Sequence, residues 1–194
     1  MLRMTRRKLL GASPTLAAGA TLTMAPLARQ GRAAGVRDLP VGDPRPVPDF
    51  TFTDAAGVAR TLRDFEGRAP PVHGFVINFW ATWCAPCVAE MPALDRMQEA
   101  LAADGILVLA LSSDRGGAEQ VRPFYERVGI RHLGLWLDPR MAAARAFGVR
   151  AVPTTVIVDR GRREVSRLAG PADWDAEPMV AAVRRLVGPP PGRG

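Results

Sequence analysis

The chain is poor in the residues that reactive and metal-bound sites usually draw on. Its 194 residues include only two cysteines, two histidines and one tyrosine. Two cysteines cannot build the multi-bridge framework of a small disulfide-rich domain. Nor do Cys84 and Cys87 with His73 and His132 read as a zinc site, because neither histidine has a second one at ligand spacing. Acidic residues are missing from the first 33 positions, which carry Arg3, Arg6, Arg7, Lys8, Arg29 and Arg32. Those six account for most of the formal net charge of +7: without them, 20 of the 26 basic residues face 19 acidic ones. The remainder is close to neutral, which argues against nucleic acid as a partner. Beyond Ala28 no apolar run is long enough to span a bilayer. The basic residues are nearly all arginine, and we attach no function to that habit.

The N-terminus has a basic start, an uncharged run from Leu9 to Ala28 and small residues after it, the layout of an export signal. Arg6-Arg7, with Thr5 before and Leu9-Leu10 after, resembles a twin-arginine signal. Leu9 stands where such signals often have Phe, and Gly11 where they often have Lys. The run is diluted by Gly11, Ser13, Pro14, Gly19 and Pro26, which favours an exported signal over residues 1–33, cut after Ala33, against a retained membrane anchor. Export would place the rest in an oxidising compartment, periplasmic or equivalent, where thiols need a reductant.

Residues 34–47 are rich in Pro and charge and read as an extended leader. Phe50 to Thr53 and Val58 to Leu62 read as a hairpin around Asp54-Ala55-Ala56-Gly57. GFVINFWA and GILVLALSS are continuous apolar runs suited to strands buried on both faces. Val88, Met91, Leu94, Met97, Gln98 and Leu101 follow helical spacing, with Pro92 as a kink. GAEQVRPFYERVG and RMAAARAFGV read as helices around a short strand in LGLWLD. PTTVIVD and REVSRLAG pair as a hairpin, and a last helix runs from about Ala176 to Val187. This alternation predicts an α/β domain over 48–188 with a central mixed sheet, an N-terminal hairpin and a central βα insert, followed by a loose tail over 189–194.

Both cysteines lie in NFWATWCAPC, three residues apart. A bridge between them closes almost no loop, so it has little to contribute by constraining the unfolded chain, and its use must be chemical. Cys84 falls where a buried strand passes into a long helix. Unpaired amides and the positive end of the helix dipole stabilise a thiolate there. Cys84 is therefore expected to be the exposed nucleophile and Cys87, one turn on, the resolving thiol. Pro86 sets the spacing and removes one N–H. Glu90, three residues beyond Cys87 on the same face, is a candidate proton relay if partly buried.

FWATWCAPC followed by EMP, with GVRAVPTTVIVDRGRR and LAGPADW downstream, resembles the exported thioredoxin-like thiol:disulfide interchange proteins of cytochrome c and oxidase maturation. The resemblance runs from about Pro48 to Val187. It implies a thioredoxin-like fold, a cis Pro153 opposite the cysteines, and a Val152 backbone that pairs with substrate. It places Trp83 beside the thiol, and Asn78 where cytosolic thioredoxin has a buried acid. It further implies protein disulfides as substrates, a membrane-bound thiol reductase as electron donor, no cofactor or metal beyond the Cys84–Cys87 dithiol, and a monomer, with membrane association if the signal is retained. The competing readings are a copper-binding assembly factor using both sulfurs, which wants a third ligand, and a thiol peroxidase, which usually has Thr or Ser where this chain has Ala81. Trp174 reads as packing.

Overall fold

An apolar run such as GFVINFW becomes a strand where both sheet faces are covered, and the sheet of this protein meets that condition. The computed structural model describes residues 39–65 and 71–189. Its strands are β1 (Val41–Pro46), β2 (Phe52–Thr53), β3 (Ala59–Arg60), β4 (Gly74–Trp80), β5 (Ile106–Ser112), β6 (Trp136–Leu137), β7 (Thr154–Val158) and β8 (Arg163–Ala169). Helices α1 (Ala85–Leu101), α2 (Gly117–Val128), α3 (Ala142–Ala146) and α4 (Glu177–Val187) follow β4, β5, β6 and β8. The strands form one sheet in the order β1-β8-β7-β4-β5-β6-β2-β3. Strands β4, β5 and β6 are parallel, and β7 is antiparallel to both β4 and β8. This is the thioredoxin-like arrangement, with the β2–β3 hairpin added at one edge and the βα unit of β6 and α3 in the middle.

Alternation along the strands sorts side chains onto two faces. Val76 and Trp80 of β4, Val108 and Ala110 of β5 and Ile157 of β7 pack with Met91, Leu94 and Met97 of α1 and with Met179 and Val183 of α4. Phe75, Ile77 and Phe79 face the other way, against Ala143 and Ala144 of α3, Phe147 just after it, and Phe52 and Phe65. Fully burying one such side chain is worth about 1.5–3 kcal/mol. The apolar stripe read along α1 is buried except for the half-buried Val88, and it includes Gln98, whose Oε1 accepts from Val108 N at 2.7 Å. Pro92 lies inside α1.

The leader departs from expectation. Val41–Pro46 is not free chain ahead of a domain that starts at 48. It pairs antiparallel with β8, with Val41 opposite Ser166 and Arg45 opposite Glu164. An edge strand tolerates Pro44 and Pro46, because only one side of it needs N–H donors. The export signal expected over 1–33 and all of the 189–194 tail except Pro189 lie outside the described residues. Among the described residues, no helix is long and apolar enough to cross a membrane.

Candidate active site

Strand β4 ends at Trp80 and α1 begins at Ala85, so residues 81–84 turn the chain from a buried strand into a helix of 17 residues. Cys84 is the N-cap of α1, with extended backbone (φ −94°, ψ 101°), and its sulfur accepts from Cys87 N at 3.4 Å. Pro86 occupies the first turn, where a missing N–H costs no helical hydrogen bond. Cys84 and Cys87 form a disulfide with Cα atoms 5.2 Å apart. Cys84 is 7% exposed and Cys87 is fully buried. The expected order holds, but Cys84 is less open than an exposed nucleophile should be. Its sulfur is bonded to Cys87 and lies 3.7 Å from the Val152 carbonyl oxygen, so both cover it. Trp83 is left 66% exposed beside it.

The Val152–Pro153 peptide is cis. Thr154 Oγ1 donates to the Ala151 carbonyl at 2.6 Å, and the Pro153 carbonyl accepts from Gly170 N at 2.9 Å. These bonds hold the approach to β7, and with it the Val152 carbonyl, against the dithiol.

Glu90 is buried, not a solvated helix glutamate. Its Oε1 accepts from Asn78 Nδ2 at 2.9 Å, and its Oε2 from Trp174 Nε1 at 2.9 Å and Ala172 N at 3.3 Å. Burial raises its pKa above the ordinary 4.5, and these three bonds offset only part of that. Asn78 Nδ2 also donates to Thr155 Oγ1 at 2.9 Å, across the β4–β7 register, while Asn78 Oδ1 is buried with no partner. Turning that carboxamide over would bring the oxygen to Glu90, where a protonated carboxyl can donate to it. Among the described residues no hydrogen bond joins Glu90 to Cys87. In the disulfide state Cys87 has no proton to share.

A second buried carboxylate was not singled out by sequence reasoning. Asp114, just past β5, accepts from Thr82 N at 2.9 Å, Thr82 Oγ1 at 2.7 Å, Ser112 Oγ at 2.7 Å and Gln120 Nε2 at 2.7 Å. It therefore fixes the residue two before Cys84. No local motif marks such a pair, since 32 residues separate Thr82 from Asp114. Trp174, read as packing, is both core and a donor to Glu90.

The histidines are placed away from the sulfurs. His73 stands just before β4, at the opposite end of that seven-residue strand from Cys84, and His132 Nε2 is 3.6 Å from Glu99. Among the described residues no group of three or more His, Cys, Asp and Glu side chains is arranged to hold a metal ion. Ala81, three residues before Cys84, is fully buried and offers no hydroxyl to a peroxide.

The chain is similar to proteins already known. The thiol-disulfide oxidoreductase ResA of Bacillus thuringiensis is 28% identical over 141 residues, covering 73% of this chain and 76% of its own. The thiol:disulfide interchange protein HelX of Rhodobacter capsulatus is 33% identical over 162 residues, covering 80% of each chain. A crystal structure assigned as the thiol:disulfide interchange protein DsbE of Chlorobium tepidum superposes with a TM-score of 0.64 at 25% identity, covering 77% of this chain and 100% of that one. The AhpC/TSA family model matches residues 43–163, from within β1 to the first residue of β8. The chain belongs to the AhpC/TSA family, and within it is a thiol-disulfide oxidoreductase of thioredoxin-like fold.

Proposed function

We propose that the protein is an exported protein-disulfide reductase that serves cytochrome c or oxidase maturation. The observation that carries the reductase reading is the placement of Cys84 as N-cap of α1, with Cys87 one turn deeper. In the reduced protein, the helix end favours the Cys84 thiolate. That thiolate attacks one sulfur of a client disulfide. The client S–S bond breaks, a mixed disulfide forms, and the other client sulfur leaves as thiolate and takes a proton. Cys87 then gives up its proton, with Glu90 as the acceptor, and attacks Cys84 Sγ. The second client thiol is released and the Cys84–Cys87 bond forms. Two electrons pass from protein to client. Val152 presents its backbone to the client chain, Pro153 holds that segment in place, and Trp83 and Pro86 give the client an apolar contact.

The dithiol is its own redox carrier and needs no cofactor or metal. A membrane-bound thiol reductase returns the electrons, and the reductase works as a monomer. Export is supported by the basic and then uncharged N-terminus. Among the described residues, His73 and His132 lie away from the sulfurs, which favours the reductase reading over copper binding.

The test is the reduction potential of the Cys84–Cys87 couple, equilibrated against glutathione and dithiothreitol. A value near thioredoxin's, about −270 mV, is expected. A value near the oxidising extreme of about −120 mV would make the protein a disulfide donor instead. Cys87→Ser is expected to accumulate a mixed disulfide at Cys84, and Cys84→Ser to abolish exchange. Failure to form a reversible disulfide would remove the reading altogether.

A further inference from the structure

Strands β4, β5 and β6 are parallel, so their C-terminal ends open onto the same edge of the sheet. Cys84 follows β4, Arg115 follows β5, and Arg140 and Met141 follow β6. Asp114 bonds Thr82 at 2.9 Å, and Ser113 N donates to the Trp80 carbonyl at 2.9 Å, so the β5–α2 connection lies directly against the dithiol loop. Beside it is a cleft of about 690 Å³ lined by Ser113, Arg115, Pro139, Arg140, Met141 and Arg145. With about 4.8 Å between neighbouring strands, it begins roughly 5–10 Å from the end of β4.

Three observations give this cleft a chemistry. First, Arg115, Arg140 and Arg145 are exposed, as is Arg150 just ahead of Val152, and among the described residues none of the four is paired with a carboxylate. Arg145 Nη1 is held by the Arg140 carbonyl at 2.6 Å. Second, two acids on this flank, Asp114 and Asp138, are turned inward. Asp114 is saturated by Thr82, Ser112 and Gln120, and Asp138 by the amides of Ala142 and Ala144. The exposed Glu119 in the first turn of α2 makes no ion pair with the four. On the opposite flank of β4, past the end of β8, lie Asp173 and Asp175, the latter bonded to Arg96. The unpaired arginines therefore make the cleft side of the dithiol the basic one. Third, of the four large apolar side chains left exposed among the described residues, two are here: Trp83 and Met141. Met141 has φ +54°, a left-handed conformation uncommon for a non-glycine residue.

Resting on the reductase reading above, we infer that this cleft is a recognition subsite for an acidic segment of the client polypeptide. The client lies across Trp83 with its disulfide at Cys84 and its Asp or Glu residues over Arg115, Arg140 and Arg145. Charge complementarity of this kind raises encounter rates and sets orientation more than it adds affinity.

The experiment uses the full chain, reduced beforehand, and two synthetic peptides with the same disulfide, one flanked by Asp and Glu, the other by Ser and Gln. The acidic peptide is expected to be reduced about tenfold faster at low salt. That ratio should fall towards one at about 0.5 M salt, where screening acts over only a few ångströms. Arg115→Gln combined with Arg140→Gln should cut the ratio by at least about threefold, whereas Arg185→Gln on α4 should leave it. Salt dependence of the unmutated protein needs no variant to fold. A ratio near one at low salt, or a ratio untouched by the double substitution, overturns the subsite while leaving the reductase standing. Failure to reduce either peptide at any salt overturns both.

Discussion

Glu90 takes its hydrogen bonds from Asn78, Trp174 and Ala172, whereas Asp114 takes its own from Thr82, Ser112 and Gln120. Both carboxylates are buried near the dithiol. The donors to Glu90 come from the sheet and from the segment after β8, and they do not fully replace water, so burial keeps its proton affinity high. Two of the donors to Asp114 belong to Thr82 itself, so this carboxylate acts as a clamp on the loop that presents Cys84. One group can hold a proton next to Cys87; the other sets where Cys84 stands. Which role a buried acid takes depends on whose donors reach it.

Removing the clamp is expected to have the larger effect. Asp114→Ala leaves the Thr82 amide and the Ser112 hydroxyl without their acceptor, at a cost of about 3 kcal/mol in urea unfolding. Exchange should slow as well, because the loop that carries Cys84 loses its position. A variant that unfolds like the parent would remove the clamp from the comparison.

Glu90→Gln should act through pH. The resolving step is expected to slow by about a hundredfold, as for loss of a positioned general base, while attack by Cys84 is little changed. Rapid-quench trapping of the mixed disulfide separates the two. Stability should move the other way. Because the folded-state pKa of Glu90 is raised, its contribution is fully present below the ordinary carboxyl range and is lost as pH rises through the folded value. Gln removes that loss, so its stability relative to the parent should improve with rising pH. An unchanging difference between pH 4 and pH 8 would deny the raised pKa.

The smallest expected effect is that of Trp174→Phe. It keeps the aromatic packing but removes one donor that favours the ionised carboxylate. The pH dependence assigned to Glu90 should shift to higher pH, with a stability cost of about 1 kcal/mol. No shift would mean that the indole does not donate to Glu90.

Much of this was legible in the chain. The continuous apolar runs of β4 and β5, the helical stripe from Val88 to Leu101 and the two hairpins are strong local patterns. WCAPC at a strand–helix junction pointed to the two cysteines that the structure joins in a disulfide. β1 was missed because two prolines in six residues resemble free chain, and only an edge position beside β8 makes them acceptable. Asp114 was missed because nothing near it in sequence announces Thr82. Trp174 was read as packing from its resemblance to a family position near the last strand, which says nothing about where its N–H points.

Residue order alone determined the alternation of strands and helices, the spacing that puts Cys84 and Cys87 one turn apart, and their place at the start of α1. These depend on contacts within a few residues. Tertiary structure decided that Glu90 is buried under Trp174, that Asp114 holds Thr82, and that the Val152 carbonyl lies 3.7 Å from Cys84 Sγ. Proton affinity and nucleophile position depend on which donors and how little water surround a group. Those neighbours come from segments 32 to 84 residues away along the chain.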